Sequence, residues 1–259
     1  MSVVAFASAT GAPGVTTTAL AAALHWPEPA LLIEADTSKT TDVMVGYFRG
    51  QLPHSSGLAG LLERPGEIHA SALLEQSLPL TEESYPKVAP GFTSLAAGQS
   101  AIALWKNLPG AFYELQRAGT DILMDLGRLR HNDPRMPLLA AADQVIVLVQ
   151  PQLPSVYSAF MYVRALRTEL EQLGVLDTIK IVTVGDGDES DRAIARQIGS
   201  PVLTRLPDDR SGAATYSLGK AGKARSLGRA AEALSRSIID AAANRRARLS
   251  VTSDEGGAQ

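Results

Sequence analysis

"SATGAPGVTTTALAAAL", residues 8–24, follows the apolar run VVAFA (3–7) and opens into an alanine-rich stretch of helical character. A strand, a glycine turn and a helix in that order leave unpaired backbone N–H groups and the positive end of a helix dipole at one spot, where an anion can sit. A glycine turn also joins strand to helix with no ligand at all, so the rest of the chain must decide. The stretch holds no lysine, the residue that a phosphate loop normally carries.

Strand-length apolar runs recur down the chain. ALLIE (30–34), DILMD (121–125), QVIVLVQ (144–150), IKIVTV (179–184) and PVLTRL (201–206) are clear, and FTSLAA (92–97) is a weaker seventh. Most are apolar at consecutive positions rather than alternating, as when helices cover both faces of a parallel sheet. Between Pro154 and Gly174, the residues Val156, Phe160, Val163, Leu170 and Leu173 fall at helical spacing, and Leu227, Ala231, Leu234 and Ile238 repeat the pattern from Ala224 to Ala243. From Thr41 to Gln116 the rhythm loosens: GLAGLLER and IHASALLEQSL read as short helices and LTEESYPKVAPG as a loop. The expected fold is α/β, a doubly wound, mostly parallel sheet with helices on both faces. One domain is expected over residues 1–243, with a basic, then polar, disordered tail over 244–259.

Composition narrows the chemistry. The 259 residues include no cysteine, which excludes disulfides, thiolate zinc sites and a cysteine nucleophile. His25, His54, His69 and His131 show no metal-ligand spacing. MSVVAFASA lacks the basic start and long apolar core of a signal peptide, and no run is long enough to cross a bilayer, so a soluble cytoplasmic protein with no integral membrane segment is expected. Within a net charge of −3, residues 205–248 hold ten Lys/Arg against four Asp/Glu. That basic quarter reads as a solvated helix face, or as a surface for nonspecific DNA binding through Arg245, Arg246 and Arg248.

Carboxylates sit at the ends of two strands beside the loop: Glu34 and Asp36 after ALLIE, and Asp125 closing DILMD. Acids there can reach a magnesium shell or orient an attacking water, or they can simply take up loop N–H groups; Glu34 reads as the structural one of the three. With these residues in place, the chain resembles the ParA/MinD family of deviant P-loop ATPases from Ser2 to about Ala242, nearest to its pilus and secretion branch of CpaE or TadZ type. The family loop KGGVGKTT falls on Thr10 to Thr17. Gly11, Gly14, Thr16 and Thr17 are kept, while the two lysines fall on Thr10 and Val15 and the second glycine on Ala12.

The resemblance implies a role for each position. Gly11, Gly14, Val15, Thr16 and Thr17 would cradle phosphates, with Thr16, Asp36 and Asp125 around magnesium and Asp36 on the catalytic water. Pro207 and Asp208 of LPDDR would border the base, and Asp186 stands where the family has an adenine-reading asparagine. ATP or ADP with magnesium is therefore the implied cofactor, held weakly, and no tightly bound cofactor is expected.

Each missing lysine removes a charge-assisted hydrogen bond of about 1.5–3 kcal/mol, and Pro13 removes one backbone donor from the cradle. The backbone cradle stays, so weak binding survives and efficient hydrolysis does not. Lys39 or a C-terminal arginine are the groups that could restore charge, and the sequence places neither.

The function expected is that of a positioning or assembly protein, a pseudo-ATPase or very weak nucleotide binder. It would act through a protein partner of a localisation, pilus, secretion or partition machine, with a homodimer as an option. The alternative is an active ATPase with a substitute cation that binds DNA nonspecifically; a phosphoryl-transfer enzyme of the wider P-loop group ranks last.

Overall fold

The computed structural model describes residues 1–11, 14–54, 56–64, 66–175, 178–222 and 224–255, with side chains described as far as Arg245. Its frame is a sheet of eight strands: β1 (Val3–Ser8), β2 (Ala30–Glu34), β3 (Leu78–Pro79), β4 (Lys87–Ala89), β5 (Asp121–Arg128), β6 (Gln144–Val149), β7 (Ile179–Val184) and β8 (Val202–Leu206). They lie in the order β3-β4-β2-β5-β1-β6-β7-β8, all parallel except for the antiparallel β3-β4 pair at one edge.

Alternate residues of each central strand feed two cores. Val3, Ala5 and Ala7 of β1 join one apolar cluster, and Val4 and Phe6 join the other. Ile122, Met124 and Leu126 of β5 separate from Leu123 in the same way. This two-sided demand is what makes the strands read as unbroken apolar runs. The first core is covered by α2 (Ala70–Glu75), α3 (Leu95–Ser100), α4 (Ile102–Arg117), α5 (Met136–Ala140), α6 (Leu153–Gln172) and α7 (Asp191–Ile198). The second is covered by α1 (Val15–Leu24), α8 (Arg210–Ser217) and α9 (Arg225–Glu255). The small side chains of Ala19, Ala21, Ala22 and Ala23, all buried, let α1 lie close to the sheet and to α9, where Ser235 Oγ donates to Ala22 O at 3.3 Å.

Several expectations are corrected. FTSLAA is not a strand: Ser94 Oγ accepts from Ala97 N at 3.2 Å and caps α3. The stretch 80–91, expected as loop, contributes β4, and IHASALLEQSL ends its helix at Glu75 before running into β3. GLAGLLER holds only a 3-10 turn over Leu58–Leu61. The last helix does not stop near Ala243 but continues to Glu255; residues 256–259 of the expected tail lie outside the described residues. Among the described residues no helix is long and apolar enough to cross a membrane.

Candidate phosphate site at the end of the central strand

The chain leaves β1 towards one side of the sheet, through α1 to β2, and the other side is reached through β6, so the C-terminal end of β1 is the point where the winding reverses. Crevices at such points are where open α/β sheets hold ligands. The loop from Ser8 to Gly14 opens there. Gly14 has φ +77°, a left-handed conformation that turns the chain into α1 and leaves the first-turn N–H groups facing outward.

Thr16 is the hub. Its Oγ1 donates to Asp125 Oδ2 at 2.5 Å and accepts from Lys39 Nζ at 2.9 Å. The same ammonium pairs with Asp42 and lies 3.7 Å from Asp36 Oδ2. Asp36 Oδ1 accepts from Ser38 N at 2.8 Å and Ser38 Oγ at 2.7 Å, and Asp125 Oδ1 accepts from Gly127 N at 2.9 Å. The Asp36 carboxylate lies against the Cα of Gly127, whose φ is +55° and where a Cβ would collide with it. Glu34, paired in register with Asp125, turns away from the cleft: it accepts from Thr41 Oγ1, Asp42 N (2.5 Å), Val43 N (3.2 Å) and Gly91 N (2.9 Å). It is the structural acid that the sequence reading expected, and it anchors the segment carrying Lys39 and Asp42.

Burial dominates the proton affinities. It pushes the Asp125 carboxyl up to about 7, against the hydrogen bond from Thr16 and the charge of Lys39, with the charges of Asp36 and Glu34 adding to the rise. Glu34 is raised by the same burial, against its four donors. Burial works the other way on Lys39, but the hydrogen bond to Asp42 and the charges of Asp125, Asp42 and Asp36 outweigh it, so its pKa lies above the ordinary value and the ammonium persists.

Two clefts flank the loop. One, of about 860 Å³, is lined by Gly11, Gly14, Val15, Thr16, Thr17, Asp36 and Lys39, and also by Arg128, Arg130, His131 and Tyr162. The other, of about 440 Å³, shares Gly14 and Thr17 and reaches Gln150, Asp186, Pro207, Asp208 and Arg210. Gly11, Gly14, Val15, Thr16, Thr17 and Asp36 line the first cleft and Asp186, Pro207 and Asp208 the second, while Asp125 is buried and bonded to Thr16. Val15 is buried and joins the apolar cluster of α1. Ala12 and Pro13 lie outside the described residues.

Sequence reasoning missed Arg135. Buried, it donates to both carboxylate oxygens of Asp133 (2.8 and 2.7 Å), to Ala35 O (3.0 Å), to Arg128 O (3.1 Å) and to Leu126 O. It ties the segment that follows β2, next to Asp36, to the segment around Gly127.

The C-terminal arginines are less available than composition implies. Arg245 Nη1 donates to Asp143 O at 2.7 Å, Arg205 pairs with Asp191 at 2.5 Å, and Arg236 pairs with Glu232. The side chains of Arg246 and Arg248 lie outside the described residues.

Magnesium demands near-octahedral oxygen donors at about 2.0–2.1 Å. The Thr16 hydroxyl is committed to Asp125 on its donor side and to Lys39 on its acceptor side, with the ammonium set among Asp36, Asp42 and Asp125. As arranged, these residues do not fit magnesium.

Neither a family model nor a curated protein sequence matches the chain. Solved structures do match in shape. The MinD septum site-determining protein of Pyrococcus horikoshii, complexed with Mg-ADP, superposes with a TM-score of 0.68 at 17% identity, covering 93% of this chain and 95% of that one. A McdA variant from Cyanothece in complex with ATP gives 0.67 at 17% over 92% and 96%. A ParA family ATPase from Chlorobium tepidum gives 0.66 at 18% over 93% and 98%. The chain therefore has the α/β fold of the ParA/MinD P-loop ATPases over nearly its whole length.

Proposed function

We propose that the protein is a ParA/MinD-like positioning or assembly protein of the cytoplasm, which binds a nucleotide weakly at the Gly11–Thr17 loop and hydrolyses it slowly or not at all. The observation that carries this reading is the convergence of Thr16, Asp36 and Asp125 on the open end of α1, in a loop with Thr10 and Val15 in place of lysines. A backbone cradle at a helix N-terminus still attracts phosphate. Hydrolysis asks for more, namely cationic donors aimed at charge that develops in the transition state. The base would lie in the second cleft, along Asp186, Pro207 and Asp208. Output then comes from a protein partner, of a pilus, secretion or partition machine, that distinguishes the filled from the empty cleft.

Phosphate release by the purified protein, compared with Asp36→Ala, tests the loss of hydrolysis: release at the background of the variant is expected, and release well above it overturns the pseudo-ATPase reading. A second reading is favoured by one contact. Lys39 reaches Thr16 at 2.9 Å, so an active ATPase with a relocated lysine would show that excess release and lose it in Lys39→Met.

A further inference from the structure

The structure assigns to Lys39 the place of the missing divalent cation: we infer that this chain binds a polyphosphate without magnesium, with the Lys39 ammonium as its built-in counter-charge. The inference rests on the nucleotide reading above and deepens it.

In the resembled site a metal ion would touch the Thr16 hydroxyl and be approached by Asp36 and Asp125. Here a lysine does both. Its Nζ is 2.9 Å from Thr16 Oγ1 and 3.7 Å from Asp36 Oδ2, and its positive charge is favoured by Asp125. The residue comes from the segment after β2, twenty-three positions beyond Thr16 in sequence, and is held there from two sides. Asp42 pairs with the ammonium, and Glu34 clamps Asp42 N and Val43 N beneath it.

The Lys39 side chain remains about one-third exposed, at 35%, and lines the larger cleft, so an incoming phosphate can reach it. An ammonium has three donors and no acceptor, so it can keep Thr16 and Asp42 and still offer a proton to a phosphate oxygen. Val15, Thr16 and Thr17 add first-turn N–H groups from α1, and the exposed Arg128 and Arg130 line the same cleft. A magnesium ion brought in with a nucleotide would have to displace Lys39 from Thr16 or sit beside a like charge. Neither is needed when the cation is already in place.

Calorimetric titration of ATP into the full chain, once with magnesium and once with excess EDTA, tests this without any variant. Affinities within about threefold of each other are expected, since a charge-assisted contact of the Lys39 kind is present in both. Lys39→Met should then lose about ten- to a hundredfold in EDTA while remaining folded by circular dichroism at the temperature of the titration. Wild-type binding that appears only with magnesium overturns the inference and leaves the nucleotide reading standing. Binding of Lys39→Met in EDTA at wild-type strength also overturns it. Absence of binding under both conditions overturns the nucleotide reading itself.

Discussion

At the scale of single residues, the site depends on a buried ion pair that touches no ligand. Arg135 uses its guanidinium to hold Ala35 O, Leu126 O and Arg128 O, and Asp133 neutralises it from within the protein. Burial opposes a charge on Asp133. The hydrogen bonds and charge of Arg135, with the backbone N–H groups of Arg135 and Arg130, more than offset it and hold the carboxyl below its ordinary pKa. A carboxylate depressed in the folded state contributes stability that is present above its unfolded pKa and lost as pH falls through the folded one. Asp133→Asn should therefore destabilise the protein at neutral pH by about 3–5 kcal/mol, the cost of breaking a buried pair from one side. The gap to wild type should close as pH drops below about 4. Thermal unfolding of both proteins across pH checks this, and a gap that does not change with pH would show that Asp133 contributes through shape rather than charge. None of this was legible in RHNDPRMP, because Asp-Pro reads as a turn and a buried arginine carries no sequence signal of its own. Lys39 was legible as a group that could restore charge, but its place was not: its reach to Thr16 depends on how Glu34 folds the segment that follows it.

The elements divide by how many neighbours they satisfy. Five of the six strands read from sequence, β1, β2, β5, β6 and β7, lie inside the sheet, and β8 closes one edge with Val202, Leu203 and Leu206 still packed on the two cores, so all six leave strand-length apolar runs. β3, at the other edge, and β4 beside it span two and three residues and leave no period to detect. FTSLAA misled through its Phe and Thr, which favour strands, while the capping Ser94 was the better signal. The largest omission is α4. Leu104, Trp105, Leu108, Ala111, Phe112 and Leu115 form a helical stripe, all of them buried, but Pro109 and Gly110 interrupt it and read as breakers. Pro109 has no N–H for the carbonyl of Trp105, four residues earlier, and so weakens α4 from inside. Pro109→Ala should accordingly raise stability, by up to about 3 kcal/mol, seen as a higher melting temperature. A lower one would mean that the bend at Pro109 is required to seat Trp105 and Leu108 on the sheet.

At the scale of the whole molecule, the surface beside the two clefts bears on how copies of the chain could meet. α6 connects the two clefts: Gln152, just ahead of it, lines the second and Tyr162 lines the first. Leu153, Tyr157 and Met161, four apart on α6, are 68%, 57% and 49% exposed. Residues at that spacing share one face of a helix, so α6, which contributes Tyr162 to the larger cleft, carries an exposed apolar stripe. A homodimer is one option of the sequence reading, and a second copy laid across the clefts would bury this stripe. A stable interface needs about 1,200–2,000 Å², more than three side chains supply, so the two rims and the bound polyphosphate would have to contribute the remainder. Dimerisation should then require ligand. Sedimentation velocity is expected to give a monomer alone and a dimer with saturating ATP. The double variant Tyr157→Asp, Met161→Asp should stay monomeric while keeping its ATP affinity, because neither side chain lines the phosphate cleft. A dimer that forms without nucleotide, or survives the double variant, would place the contact elsewhere and leave the α6 stripe without this role.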